Sequence, residues 1–347
     1  MRLDEPSWWY AGDGAESLPA RLLTPIEHIY AELAERRFAK ATPFQCGLPV
    51  ICVGNFTAGG TGKTPLTRFL IERLRERDMT AACLSRGYGG SLAGPVWVDA
   101  ERHTAREVGD EPLLIAQDAR VMVGRDRKAA AASIAESGGI DAVIMDDGLQ
   151  NPSLAKDLSF AVVNAQRGIG NGRVIPAGPL RARLAFQLGL VDAIVVMGGE
   201  DADDGGLFER LRSRFHGPVL RADVMPVAPL GGVAERIVIA YAGIANPERF
   251  FGLVESFGPQ AMVRRAFADH HAFSEQDARA LIAEADRLDA DLVTTEKDAM
   301  RLKGAVGVRA ELAARSRTLP IRVAFDDKDL LRLDALIDGA LKTVTRR

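Results

Sequence analysis

A lysine and a threonine stand directly behind a glycine-rich turn in Thr57-Ala58-Gly59-Gly60-Thr61-Gly62-Lys63-Thr64. Glycines without Cβ let a backbone curl until several N–H groups converge on one anion. The lysine then reaches β- and γ-phosphates, and the threonine hydroxyl ligates Mg²⁺. Such a loop needs a buried strand before it and a helix after it. Val50, Ile51, Cys52 and Val53 supply the first, and the amphipathic run from Leu66 to Arg77 supplies the second. The eight residues from Thr57 to Thr64 are therefore read as a phosphate-binding P-loop for a nucleoside triphosphate. The first glycine of the strict pattern is replaced by Thr57.

Carboxylates are the next candidates. Ile140 to Gln150, IDAVIMDDGLQ, is an apolar strand ending in Asp146 and Asp147. Acids at the end of a strand beside a P-loop hold Mg²⁺ directly or through water. Successive strand residues face opposite ways, so both reach one ion only if the chain turns just after Met145. Asp110 and Glu111 follow Gly109 at a predicted helix start, where acids also serve as caps. Their catalytic reading is a general base, since a hydroxyl attacking a phosphate needs a proton acceptor. Arg86 and Tyr88 lie in a second glycine-rich loop, SRGYGG, and offer a guanidinium and an aromatic face to a phosphorylated sugar. Arg167, Arg173 and Arg181 are spaced through the long loop QRGIGNGRVIPAGPLR. Asp269-His270-His271 suggests orientation or proton relay rather than a zinc site, because adjacent histidines project apart. TTEKD, residues 294 to 298, ends another strand without matching a guanine-reading motif.

The elements that must position these groups alternate between strand and helix. Strands are predicted at 50–54, 81–85, 95–98, 140–145, 158–164 and 191–197, and helices at 65–77, 109–118 and 125–138. That alternation is the pattern of an α/β, doubly wound parallel sheet. A second, smaller α/β lobe is expected from strands at 237–242, 261–267, 290–294 and 320–325 and helices at 247–257 and 274–288. The expected division is an N-terminal segment 1–45, a P-loop core 46–218 and a C-terminal lobe 219–347, with a cleft between the lobes for two substrates. In the N-terminal segment, Trp8, Trp9 and Tyr10 precede a helix over 19–40. Its Leu22, Ile26, Ile29, Tyr30 and Leu33 recur at helical spacing and are followed by Arg36, Arg37 and Lys40. That face either packs on the core or lies on a lipid surface.

Bulk composition excludes several classes. With 44 Lys+Arg against 47 Asp+Glu in 347 residues, no global positive field attracts nucleic acid. Three cysteines, Cys46, Cys52 and Cys83, have no metal-ligand spacing and read as small core residues. Met1 to Tyr10 carries Asp4 and Glu5 and lacks a signal peptide's apolar core. No apolar run is long enough to span a bilayer, so a soluble or surface-attached protein is expected.

PVICVGNFTAGGTGKTP, LSRGYGG, VGDEPLLIA, VMVGRDR, the DDGLQ turn, NAQRGIGNGRVIPAGPLR, FADHHAF and TTEKDAMRL, in this order, resemble the tetraacyldisaccharide 4′-kinases, the lipid A 4′-kinases of Gram-negative envelope synthesis. The matching segments run from about residue 8 to residue 302, and Thr57 belongs to that family's own P-loop pattern. The resemblance implies transfer of the ATP γ-phosphate, with Mg²⁺, to the 4′-hydroxyl of a tetraacylated disaccharide 1-phosphate. It also implies peripheral attachment to the cytoplasmic face of the inner membrane, which favours the lipid-facing reading of the helix. On the same basis Lys63 and Thr64 form the P-loop pair, and Asp146 and Asp147 are the Mg²⁺ acids, with Glu111 a further metal candidate. Asp110 with His270 is the base and its partner, and Arg173 belongs to the lipid-substrate loop. One departure lies after the acidic pair. The family's Phe-Gln-His and following basic residues are here Leu149-Gln150-Asn151 and Pro152-Ser153.

Rival readings fit less well. Deviant partitioning or metal-chaperone ATPases carry a signature lysine where this chain has Ala58, and GTPase switch and base-reading motifs are absent. A non-catalytic nucleotide-binding scaffold makes the third alternative.

Overall fold

The computed structural model describes residues 5–10, 17–198 and 205–345, which form two compact units. The first comprises 1–86, 124–224 and 323–347, and the second 87–123 and 225–322. The chain passes from the first unit to the second after 86 and after 224, and back after 123 and after 322. The units also exchange two stretches: 87–123 belongs with the later residues, and the C-terminal stretch returns to the first unit.

In the first unit the strand Val50–Gly54 is buried at every position, as expected of a central parallel strand covered on both faces. The strands beside it run in the order Val219–Pro226, Ala193–Met197, Leu158–Asn164, Val50–Gly54, Ala142–Asp146, Ala81–Ser85, all parallel. Val53 stands opposite Asp146, so the glycine-rich loop and the acidic pair leave the sheet at the same edge. Gly54 has no Cβ because one would collide with the Leu149 side chain just past that pair. The helix Lys63–Arg75 follows, started by Gly62 at φ 100 and buried through Leu66, Leu70, Ile71 and Leu74.

The helix Asp327–Thr345 lies outside the sequence-based expectation, which stops at the strand before it. Its Leu333 and Ile337 are fully buried, while Asp334 pairs with Arg73 and Arg77, and Asp338 with Arg77. An apolar seam bordered by ion pairs thus ties the chain end to the helix behind the P-loop.

The N-terminal segment forms the short turn Ser7–Tyr10 and the helices Leu18–Leu22 and Thr24–Ala39. The inward face of these helices is made of Ala20, Glu27 and Ala31. Leu18, Leu22, Ile26, Ile29, Tyr30 and Leu33 are instead exposed, by 69, 72, 54, 62, 41 and 58%. The apolar stripe therefore points away from the protein.

In the second unit, four parallel strands run in the order Ala261–Ala266, Ile237–Ala242, Ala290–Thr295, Ser316–Leu319. Apolar clusters built on Phe250, Phe251 and Val254 and on Phe273, Leu281 and Leu312 pack around it. Tyr241 is fully buried, and its hydroxyl meets Ser316 Oγ at 2.7 Å. Residues 87–123 contribute an antiparallel pair, Val96–Trp97 with Arg120–Val123, and the helices Ala105–Val108 and Asp110–Ile115. Gly109, at φ 93, separates these helices and sets Asp110 as the first residue of the second.

Because Ile337 has no exposed surface, Ile337→Ala should leave a cavity and lower unfolding stability by about 2–5 kcal/mol. A urea titration measures this; a loss under about 0.5 kcal/mol would mean the terminal helix is not part of the folded core.

Candidate active site

In the first unit the glycine-rich loop 57–64, expected to be the P-loop, is held from outside as well as by its own turn. Ala58 N–H donates to Pro179 O at 2.8 Å, Arg181 N–H to Phe56 O at 2.9 Å, and Arg181 Nε to Thr57 O at 3.0 Å. Asn55 Nδ2 donates to Gly59 O at 3.2 Å. The long arginine loop is therefore ordered by the P-loop's own backbone groups. Its far end is tied to the N-terminal segment: Trp9 Nε1 donates to Pro176 O at 3.2 Å, and Arg167 pairs with Glu5 at 2.9 Å. The Glu5 carboxylate rests against Gly59.

Lys63 and Thr64 are both buried at the helix start. The hydroxyls of Thr61 and Thr64 are buried with no hydrogen-bond partner. Orphaned hydroxyls of this kind are costly unless something fills the site. Asp146 closes the neighbouring strand, 1% exposed, and accepts from Thr67 Oγ1 at 3.3 Å. An unsatisfied threonine hydroxyl at the helix start and a buried carboxylate at a strand end are oxygen donors of the kind Mg²⁺ takes alongside phosphates.

The turn that sequence pattern requires after Met145 falls one residue later. Asp146 completes the strand, and Asp147 takes a left-handed backbone at φ 50. Asp147 Oδ1 then meets Arg181 at 2.8 Å and Lys63 at 3.7 Å. Burial opposes its ionisation, yet Lys63 and Arg181 outweigh that and hold the carboxyl well below the usual range. Gln150 joins this cluster, donating to Asn55 O at 2.7 Å and accepting from Arg181 at 3.3 Å. Asn151 closes its own turn by accepting from Ser153 N and Oγ, and Leu149 is core.

Of the residues expected to bind substrate, Arg86 and Tyr88 are exposed. Arg173 is turned elsewhere: its Nε donates to Glu27 at 3.0 Å, and its Nη2 bonds Glu27 and the Thr24 hydroxyl. Glu27 also accepts from Val174 N at 2.7 Å. Arg173 thus anchors the N-terminal helix to the arginine loop. Arg181 is the arginine that reaches the acidic pair, a role that its place in the loop does not announce.

The second unit brings Asp110 and His270 together, with Asp110 Oδ2 at 2.9 Å from His270 Nδ1. His270 has a left-handed backbone at φ 56, uncommon for a non-glycine residue and found where a loop must aim a side chain. The Tyr88 ring lies 5.5 Å from the imidazole. Burial resists the Asp110 charge, but the His270 hydrogen bond and the Arg301 charge keep its carboxyl far below the ordinary range. Burial would also depress the imidazole, and the bond and charge of Asp110 reverse this, so His270 sits above its usual value. Glu111 pairs with the half-buried Lys297 of TTEKD.

The Tetraacyldisaccharide-1-P 4′-kinase family profile matches residues 19–340. Tetraacyldisaccharide 4′-kinase of Nitrobacter winogradskyi is 45% identical over 340 residues, covering 97% of this chain and 98% of that one. The protein of the same name from a Methylobacterium species is 47% identical over 340 residues, covering 96% and 98%. The chain belongs to the tetraacyldisaccharide 4′-kinase family. Its fold is shared with the crystal structure of the "apo" form of LpxK from Aquifex aeolicus in complex with ATP. That likeness has a TM-score of 0.72 at 23% identity, over 93% of this chain and 100% of the other. Among the described residues of this kinase-family chain, no helix is long and apolar enough to cross a membrane.

The Asp110–His270 pair gives a signed pH expectation. A raised imidazole stabilises the fold fully below its ordinary value, about 6.5, and the gain is lost as pH rises through the folded value. The depressed Asp110 carboxyl contributes above about 3.8, and its gain is lost only in strong acid. Imidazole carbon NMR should show His270 titrating above about 6.5 and moving down in Asp110→Asn. An unshifted His270 in the native chain would contradict the pairing.

Proposed function

We propose that this chain transfers the γ-phosphate of ATP, with Mg²⁺, to the 4′-hydroxyl of a tetraacylated disaccharide 1-phosphate, the lipid A precursor. The relatives' shared name supports this reading. The observation that carries it is the pairing of functions within one chain. One unit holds a P-loop with an unsatisfied Thr64 hydroxyl beside buried Asp146, and the other holds a buried Asp110–His270 pair.

Thr57 to Thr64 would wrap the phosphates with backbone N–H groups, and Lys63 would meet the charge that develops on the migrating phosphoryl group. Thr64 and Asp146 would hold Mg²⁺, which when bound draws charge from the phosphate oxygens. Asp147 keeps Lys63 and Arg181 in place through its ion pairs. Proton acceptance falls to Asp110 with His270. While His270 stays protonated it weakens Asp110 as a base, so kcat/KM should climb with pH as the imidazole loses its proton.

The reaction is tested by supplying ATP, Mg²⁺ and the disaccharide 1-phosphate and locating new phosphate by ³¹P NMR. Phosphate on the 4′-hydroxyl is the expected product. ATP hydrolysis indifferent to the lipid would favour an ATPase switch, and binding without turnover a scaffold. Lys63→Ala should lower kcat/KM by roughly 10²- to 10³-fold, the scale of one lost electrostatic donor. A variant retaining more than a tenth of the activity removes Lys63 from the phosphate site.

Lipid-bound substrate requires the protein to reach a bilayer surface, and the proposed location is the cytoplasmic face of the inner membrane, peripherally. The exposed stripe of Leu18, Leu22, Ile26, Ile29 and Leu33, with exposed Arg36, Arg37 and Lys40, supports this. Full burial of one such apolar side chain contributes about 1.5–3 kcal/mol, and an interfacial helix gains part of that at each position, with anionic headgroups attracting the basic end. Ile26→Asp with Ile29→Asp should release the protein from anionic vesicles and raise KM for lipid, leaving KM for ATP and thermal stability unchanged. Undiminished vesicle binding would place the membrane contact elsewhere.

A further inference from the structure

The proposed reaction leaves one buried cation beside Asp110 without a role. Arg301 has a side chain only 7% exposed, and it lies on the short helix Glu296–Leu302 of the second unit. Its Nε donates to Asp110 Oδ2 at 2.7 Å, and Nη2 approaches the same oxygen at 2.5 Å. That is the oxygen that also bonds His270. On its other side, Nη1 donates to Gly243 O at 2.6 Å and to Asp298 Oδ1.

Gly243 makes this arrangement more than an ion pair. Its carbonyl, held by Arg301, also accepts the backbone N–H of His270 at 2.9 Å. Its own N–H donates to the two oxygens of Asp298 at 3.2 and 3.1 Å. Asp298 is fully buried and takes a further bond from Thr295 Oγ1 at 2.7 Å. The guanidinium fork therefore locks the carboxylate of Asp110 with one edge and the loop that aims His270 with another.

We propose that Arg301, itself fixed by Asp298, is a positioning residue that sets the geometry of the Asp110–His270 pair for proton acceptance. This rests on the reading of that pair as the proton acceptor. The chemistry calls for arginine specifically. A planar fork bonds one carboxylate oxygen and a carbonyl on a different segment along fixed directions, whereas an ammonium, despite three donors, is a compact point charge that fixes neither. Misplacing a reacting group by about 1 Å costs on the order of 10²-fold in rate.

The experiment measures steady-state kinetics with ATP and the tetraacyldisaccharide 1-phosphate for Arg301→Gln, Arg301→Lys, Asp110→Asn and the Asp110→Asn/Arg301→Gln double variant, alongside thermal melts. Arg301→Gln should lose about 10²-fold in kcat, with KM for ATP unchanged. Arg301→Lys should recover part of the loss. In the Asp110→Asn background the Arg301 substitution should add little, because the two act as a unit. In a further variant, Arg301→Ala, low, non-denaturing guanidinium should raise the rate, and it should leave Asp110→Asn untouched.

Wild-type kcat in folded Arg301→Gln, or losses that simply multiply in the double variant, overturns the proposal. If Arg301→Gln does not fold, Arg301→Lys decides. Full kcat in the lysine variant refutes the fork, and reduced kcat at unchanged KM supports it. Should Asp110→Asn itself keep full activity, the proton-acceptor reading fails first, and it does so independently of any Arg301 result.

Discussion

The parallel register of Val53 against Asp146 is the constraint on which the nucleotide-side chemistry rests. Parallel strands emit their C-terminal loops at the same edge of a sheet, so the glycine-rich loop and the carboxylate pair become neighbours without any dedicated contact. Close packing on both faces of Val50–Gly54 and Ala142–Asp146 fixes that register, since a slip would drive each buried side chain into space its neighbours fill. Leu149 against Gly54 then brings the acidic turn down onto the strand end. The position of Asp147, and through it of Lys63 and Arg181, follows from packing decided several residues earlier.

How much of this the chain discloses by itself depends on the range of the interaction. The P-loop is legible because glycine placement, the preceding strand and the following helix lie within a few residues of one another. Asp110 at a helix start is legible for the same reason. The Asp147–Arg181 pair, 34 residues apart, and the Asp110–Arg301 pair, 191 apart, leave no local trace. TTEKDAMRL stands out as a motif, yet nothing in it says that Arg301 faces a carboxylate from another segment. Arg173 is an instructive case. An arginine in a glycine-rich loop reads as an anion binder, and here its anion is Glu27 of the same chain. The terminal helix escaped a different way, since its apolar spacing was present at Leu333 and Ile337 but the strand before it suggested an ending.

Reading the N-terminal helix from periodicity gives the right stripe and leaves its direction open. Amphipathic helices usually bury their apolar side. The helix Thr24–Ala39 buries Ala31 and a carboxylate, because Glu27 finds both a guanidinium and a backbone N–H inside. A paired, hydrogen-bonded carboxylate can occupy an interior position that an unpaired one cannot. The polar anchor is what frees the leucines and isoleucines to face outward.

Under the proposed membrane attachment, that anchor would also work as a depth gauge. Arg173 clasps the first turn of the helix, and a few residues further along the same loop Pro179, Leu180 and Arg181 are stitched to the P-loop backbone. The glycine-rich loop would then be held at a height set by this short, doubly pinned stretch of chain rather than by a free tether. The stretch is folded back on itself, Leu180 N–H donating to Arg173 O at 3.0 Å and Ile175 N–H to Leu180 O at 2.9 Å, so its two points of attachment are held side by side.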